Sequence, residues 1–215
     1  ANAEETAQLT GYKRIIYDGF LRAIQYGVPQ ETAAILVDQK YGQEILADAK
    51  ERGLTTCAPV EKSGQPEFDF EYGADFGQHL QKAAPTFAKV LVRYNPEDDA
   101  QVNERQSAKL KQLSDYAHSA GYKFMFELLV PTTEPQLESV GRDLHAYDLR
   151  LRPELTVRAM EALQDAEVEP DVWKLEGTQD AEAARSFVAR ARAGGRDDVG
   201  VIILGRGENE KRVRE

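Results

Sequence analysis

The stretch Asp171–Gly177, with the sequence DVWKLEG, decides the fold because it places a lysine inside what reads as a buried parallel strand. Side chains alternate along a strand, so Lys174 and Glu176 share one face while Trp173 and Leu175 share the other. Strands in a sheet that is covered on both faces are normally continuous apolar runs, and a buried ammonium without compensation is costly. The pattern therefore leaves two readings of Lys174, a desolvated nucleophilic amine or the solvated end of an edge strand.

On either side of this stretch, helix and strand alternate along the chain. The other expected strands are 33–38, 55–61, the centre of 85–96, 123–131 and 199–207. The expected helices are 1–26, 43–52, 75–83, 100–120, 153–166 and 181–193. Strands that are separated by helices predict a parallel sheet, because parallel neighbours need a crossover connection.

Two α/β architectures accommodate such a sheet. The first strand-to-helix turn, VDQKYGQ at 37–43, lacks the glycine pattern of a dinucleotide site, which disfavours a doubly wound fold that binds one. Ionisable residues recur at the expected carboxyl ends of the strands, where a (β/α) barrel builds its site. We therefore expect residues 1–215 to form a single TIM-type (β/α) barrel domain whose first and last strands lie outside this chain.

Composition limits the classes of partner. A formal net charge of -10 argues against nucleic acid and against an anionic membrane surface, because both favour a basic protein. The sequence has no apolar run long enough to span a bilayer, and one cysteine, Cys57, cannot form an internal disulfide. A cytoplasmic protein is expected. The sequence does not fix the oligomeric state, and a homo-oligomer is allowed.

Three strands can aim a charged side chain at one common face. They carry Lys89 in AKVLVRY, Glu127 in FMFELLV, and Lys174. Burial and a second cation both favour the neutral form of an amine, and a carboxylate can move protons. An amine, a second cation and a carboxylate are the groups that an enzyme needs to make or break a carbon–carbon bond through an imine. The alternative is a structural ring of ion pairs that only closes the core.

Six runs of the sequence resemble one known family. They are LVDQKYG, PVEKSGQPEFDFEYG, KVLVRYNP, ELLVP, RPELTVRAMEALQDAEVEPDVWKLEG and GGRDDVGVIILGRG. They look like the aldolase-like C-terminal domain of bacterial 5-dehydro-2-deoxygluconokinase, a former domain of unknown function in myo-inositol catabolism, and more distantly like class I tagatose-bisphosphate aldolases. The resemblance implies Lys174 as the Schiff-base lysine, Glu127 as the proton-transfer carboxylate and Lys89 as the lysine of the earlier strand. In such relatives a kinase domain is fused to the barrel.

The resemblance also implies a small phosphorylated sugar as substrate, 5-dehydro-2-deoxygluconate 6-phosphate, with neither a cofactor nor a metal. We expect six residues to contact it. They are Asp38, Glu61, Lys62, Arg93, Glu176 and Arg206. Arg206 lies between glycines in LGRG, which suits an anion, and residues 61–73 are long enough for a functional loop. Two other functions stay open, a metal-assisted lyase in which Glu127 and Glu176 hold magnesium, and a sugar-phosphate-binding barrel without turnover.

Overall fold

The computed structural model describes residues 2–204, in which helices and strands alternate in a mixed α/β fold. The strands are β1 Ala34–Leu36, β2 Thr55–Pro59, β3 Phe87–Arg93, β4 Lys123–Leu129, β5 Val172–Glu176 and β6 Gly200–Leu204. The helices are α1 Ala3–Gln25, α2 Gln39–Glu51, α3 Phe76–Ala83, α4 Ala100–Ser119, α5 Glu134–Ser139, α6 Leu144–Arg150, α7 Arg152–Asp165 and α8 Ala181–Arg192. All six strands expected from the sequence are present in this part of the chain.

Each strand lies beside its neighbour in the chain, in the order β1-β2-β3-β4-β5-β6. The pairs β1–β2, β2–β3, β4–β5 and β5–β6 are parallel. An α/β fold with parallel strands in chain order is therefore confirmed. This is the strand order of a (β/α) barrel, and closure into a barrel stays a prediction.

The chain groups into two compact units, and each contains more than one stretch of sequence. The first unit comprises the chain up to Gly64, Asp69–Val90 and Tyr116–Lys123. The second comprises Gln65–Phe68, Leu91–Asp115 and the chain from Phe124 onward. The single domain expected from the sequence stays a prediction.

Helix ends follow the local chemistry of the sequence. Asn2 caps α1 in a capping box with Glu5, and the helix then runs unbroken for 23 residues. Gly53 and Gly121 follow α2 and α4 with positive φ, which confirms the helix stops expected there. α2 begins four residues before the expected start at Gln43, at Gln39 behind an Asp38 cap, and a non-helical backbone at Gly42 kinks it directly before Gln43.

The core of the first unit forms where α1 and α2 meet the sheet. Tyr17 of α1 is fully buried, and its hydroxyl donates a hydrogen bond to Asp48 Oδ2 at 2.7 Å. The buried cluster consists of Tyr17, Ile35, Val37, Ile45, Leu46, Ala49, Leu54, Ala58 and Ala83. Only one face of α1 takes part, and its opposite side is exposed.

The core of the second unit includes the apolar face of β4 and β5. Phe126 and Trp173 are register partners on these strands, and their ring centroids are 5.0 Å apart. Leu175 lies on the same face as Trp173, and all three side chains are fully buried. Because side chains alternate along a strand, the charged residues Glu127 and Lys174 must emerge on the other face.

Candidate functional site

Lys174 and Glu127 form an ion pair on the second unit. The two residues are register partners on β5 and β4, so their side chains leave the sheet on the same face. Lys174 Nζ donates to Glu127 Oε2 at 3.2 Å. The lysine side chain is 22% exposed and that of the glutamate 6% exposed. An amine that solvent can reach is thus held beside a buried carboxylate.

Glu176, expected as a substrate contact, is engaged by groups of the protein itself. Its Oε2 accepts a hydrogen bond from the backbone N–H of Val130 at 3.0 Å, and its Oε1 forms an ion pair with Arg152 Nη1 at 3.1 Å. Both Glu176 and Arg152 are buried. Glu176 therefore ties the end of β5 to the chain that follows β4, which fixes the two strands that carry Lys174 and Glu127.

Arg152, at the start of α7, anchors the same corner. Its Nε forms an ion pair with Asp148 Oδ1 at 3.0 Å, and its Nη2 donates to the carbonyl of Gly177 at 3.2 Å. Tyr147 donates its hydroxyl hydrogen to the carbonyl of Val130 at 2.9 Å. Burial, with the Glu176 carboxylate acting in the same direction, raises the pKa of Tyr147 well above its ordinary value. The phenol therefore stays a neutral donor across the physiological range.

Sequence reasoning missed Arg152 and Tyr147. Arg152 stands directly before Pro153 at the start of a helix, and nothing in the pattern marks it as buried. Tyr147 lies in α6, within a stretch whose proline and glycine obscure the helical period. The only available signal was an arginine close in sequence to an acidic residue, which is common on protein surfaces.

The first unit holds a second lysine–glutamate pair. Lys89 Nζ on β3 donates to Glu61 Oε1 at 2.8 Å, and the side chains are only 6% and 14% exposed. Glu61 also forms an isolated antiparallel bridge with Phe70. The segment after β2 therefore folds back on itself, and the side chain of Phe70 is buried. Lys89 is paired and nearly inaccessible, whereas Lys174 is partly open to solvent.

The other expected contact residues lie at the carboxyl ends of β1, β2 and β3. Asp38 caps α2 and forms an ion pair with Lys13 at 2.5 Å. Lys62 and Arg93 are exposed. Arg93 Nη1 lies 3.5 Å from the carbonyl of Gln65, at the limit of a hydrogen bond. Asp38 thus stabilises the start of α2, while Lys62 and Arg93 are exposed to solvent.

Two further expectations concern ligands. Arg206 lies outside the described residues. Within residues 2–204, no group of three or more His, Cys, Asp and Glu side chains is placed to hold a metal ion. Glu176, which the metal-assisted alternative requires as a ligand, already has both oxygens engaged by Arg152 and Val130.

No helix among the described residues has the length and apolar character needed to cross a membrane. No curated protein matches the chain. A family model described as "Uncharacterized protein conserved in bacteria (DUF2090)" matches residues 1–215. The match covers the whole sequence, and the chain therefore belongs to this bacterial family.

Proposed function

We propose that the protein is a class I aldolase-type lyase that cleaves a phosphorylated keto sugar acid through an imine on Lys174. The observation that carries the proposal is the pairing of Lys174 Nζ with Glu127 Oε2 on adjacent strands. An amine nucleophile needs a nearby group that can take its proton, and this pair supplies both in one place. The exposed fraction of the lysine side chain leaves it open to a small substrate.

The reaction begins when Lys174 gives up a proton to Glu127 and its nitrogen attacks the keto carbon. The resulting carbinolamine loses its hydroxyl as water, with a proton returned by Glu127, and a protonated imine forms. Glu127, again a carboxylate, then takes the proton of the hydroxyl on the carbon two positions from the imine carbon. That carbon leaves as an aldehyde as its bond to the carbon next to the imine breaks. The electron pair of that bond moves into the imine to give an enamine, which is protonated on carbon and hydrolysed to release the ketone product.

The substrate we propose is 5-dehydro-2-deoxygluconate 6-phosphate, on the basis of the sequence resemblance. Its keto group is at C5, so the bond broken is C3–C4, and the products are dihydroxyacetone phosphate and malonate semialdehyde. Arg93, in the same unit as Lys174, has an exposed cationic group suited to carboxylate or phosphate. In this proposal the protein works in the cytoplasm within myo-inositol catabolism, in some relatives joined to a kinase domain. The buried position of Cys57 is compatible with a reducing compartment.

The direct test is a cleavage assay with this substrate, in which both products are quantified. Lys174→Met should lower turnover by at least about a thousandfold, because no nucleophile remains for the imine. Lys123→Met on β4, where Lys123 is exposed, is the matched control and should retain wild-type turnover. Full activity of Lys174→Met would refute the mechanism, and activity abolished by EDTA without an imine would support the metal-assisted alternative. Absence of turnover with measurable sugar-phosphate binding would support a non-catalytic module.

A further inference from the structure

Helix α1 carries a second apolar face that is largely exposed among the described residues. The buried side of the helix contains Tyr17, with Phe20, Leu21 and Ile24 packed around the same core. Four other large apolar side chains on the helix are exposed. They are Leu9, Tyr12, Ile15 and Ile16, with exposed fractions of 39, 54, 68 and 65%. At 100° per residue these side chains and Gly19 form a stripe beside the buried face. A surface helix normally has one such stripe, so the second marks an interaction surface.

We propose that this stripe is a homodimer interface, in which α1 of one copy packs antiparallel on α1 of a second. The stripe is complementary to itself in that orientation. When the two-fold axis passes near residues 13 and 14, Leu9 of each copy faces Gly19 of the other, and Tyr12 faces Ile16. Gly19 has open space where a Cβ would lie, so a leucine can pack over its backbone. A closed two-fold interface of this kind uses the same patch on both copies.

The charged residues near the two ends of α1 are compatible with the same two-fold axis. Glu4 and Arg22 are both exposed and lie about five whole turns apart, so they share one flank of the stripe. In an antiparallel helix pair, a given flank of one helix lies beside the same flank of the other helix, as the charged flanking positions do in antiparallel coiled coils. Glu4 of one copy then meets Arg22 of the other, and the pair occurs twice. In a parallel pair each flank would lie beside the opposite flank of the other copy, so Glu4 and Arg22 would not meet and this attraction would be lost. The charges therefore select the antiparallel second copy as the occupant of this face.

The size of the stripe sets the expected strength of the dimer. A helix of 23 residues is about 35 Å long, and a stripe about 10 Å wide covers less than the roughly 800 Å² per partner of a standard interface. We therefore expect reversible dimerisation in the micromolar range rather than a permanent dimer. Sedimentation velocity of the wild-type chain from about 1 to 200 µM should show a monomer–dimer equilibrium.

Five variants test the geometry. Ile16→Glu should weaken association at least about tenfold, whereas Leu144→Glu, which changes an equally exposed leucine on α6, should leave it unchanged. Arg22→Glu should weaken it, and Glu4→Arg combined with Arg22→Glu should restore it. Gly19→Leu should raise the melting temperature, since it removes a glycine from a helix interior, and still weaken the dimer by filling the space that Leu9 needs.

A wild-type chain that stays monomeric throughout this range would overturn the proposal. So would dimers that are as strong in Ile16→Glu or Gly19→Leu as in the wild type, or a charge-swapped double variant that associates no better than Arg22→Glu. The melting temperature, measured on every variant, separates loss of the interface from loss of the fold. The monomer–dimer equilibrium does not depend on the aldolase mechanism.

Discussion

Replacing Arg152 by methionine tests the corner that holds β4 and β5 together. The guanidinium lies among Glu176, Asp148 and the carbonyl of Gly177, and its residue is buried. Removal of the cation leaves the buried Glu176 carboxylate without this counter-charge. Breaking a buried pair in this way costs about 3–5 kcal/mol in free energy of unfolding. At about 2–4 °C per kcal/mol for a chain of this size, we expect the melting temperature to fall by roughly 6–20 °C.

The measurement is urea unfolding followed by tryptophan fluorescence, because Trp173 is the only tryptophan and is fully buried on β5. Arg185→Met is the matched control. Arg185 forms an exposed pair with Glu182, and its loss should cost no more than about 1 kcal/mol. Adding Glu176→Gln to Arg152→Met should recover part of the loss, because it removes the stranded charge and keeps an acceptor for Val130 N–H. Equal costs for Arg152→Met and Arg185→Met would refute the assignment of a buried anchor.

Three further results are expected. Burial and the hydrogen bond to Asp48 raise the pKa of Tyr17 from 10.0 to about 12. Because the folded-state pKa is the higher one, this stabilisation is complete below pH 10.0 and is lost as the pH rises towards 12, so the loss measured by urea unfolding should be larger in the wild type than in Tyr17→Phe. Gly77→Ala should cost about 1–3 kcal/mol in thermal unfolding, because its Cβ would lie 2.8 Å from the Tyr116 ring, whereas Gly11→Ala, with open space at the Cβ, should not destabilise the fold. Glu127→Gln should lower kcat by about 10²–10⁴ while substrate still binds, and a change below threefold would remove Glu127 from proton transfer.

The helical spacing of apolar residues and their alternation along strands were sufficient to predict most of the fold. The apolar runs of β4 and β5 and the helices between strands are local signals, and they gave the six strands and the parallel sheet. The same alternation places Glu127 and Lys174 on faces that can coincide, whereas their direct register is seen only in the structure. Helix starts were less predictable, as with α2, because Asp38 reads equally well as a strand end or as a cap.

The anchoring network could not be predicted in the same way. Glu176 shares a strand face with Lys174, which made it look like a second site residue. Its partner Arg152 is 24 positions earlier, and neither position carries a pattern that indicates their contact. Lys89 and Glu61 were each expected at the site, but their direct pairing depends on how the segment after β2 folds back. Long-range side-chain partners are set by tertiary packing rather than by local period.

The most direct test of the central claim is borohydride reduction of the protein in the presence of 5-dehydro-2-deoxygluconate 6-phosphate, followed by peptide mass mapping. An imine on Lys174 predicts a stable adduct, with the mass of the reduced substrate or ketone product, on the peptide that contains Lys174. The adduct should be absent in Lys174→Met and present in Lys123→Met. An adduct on another lysine such as Lys89, or turnover of the substrate without any adduct, would contradict the assignment of Lys174 as the nucleophile.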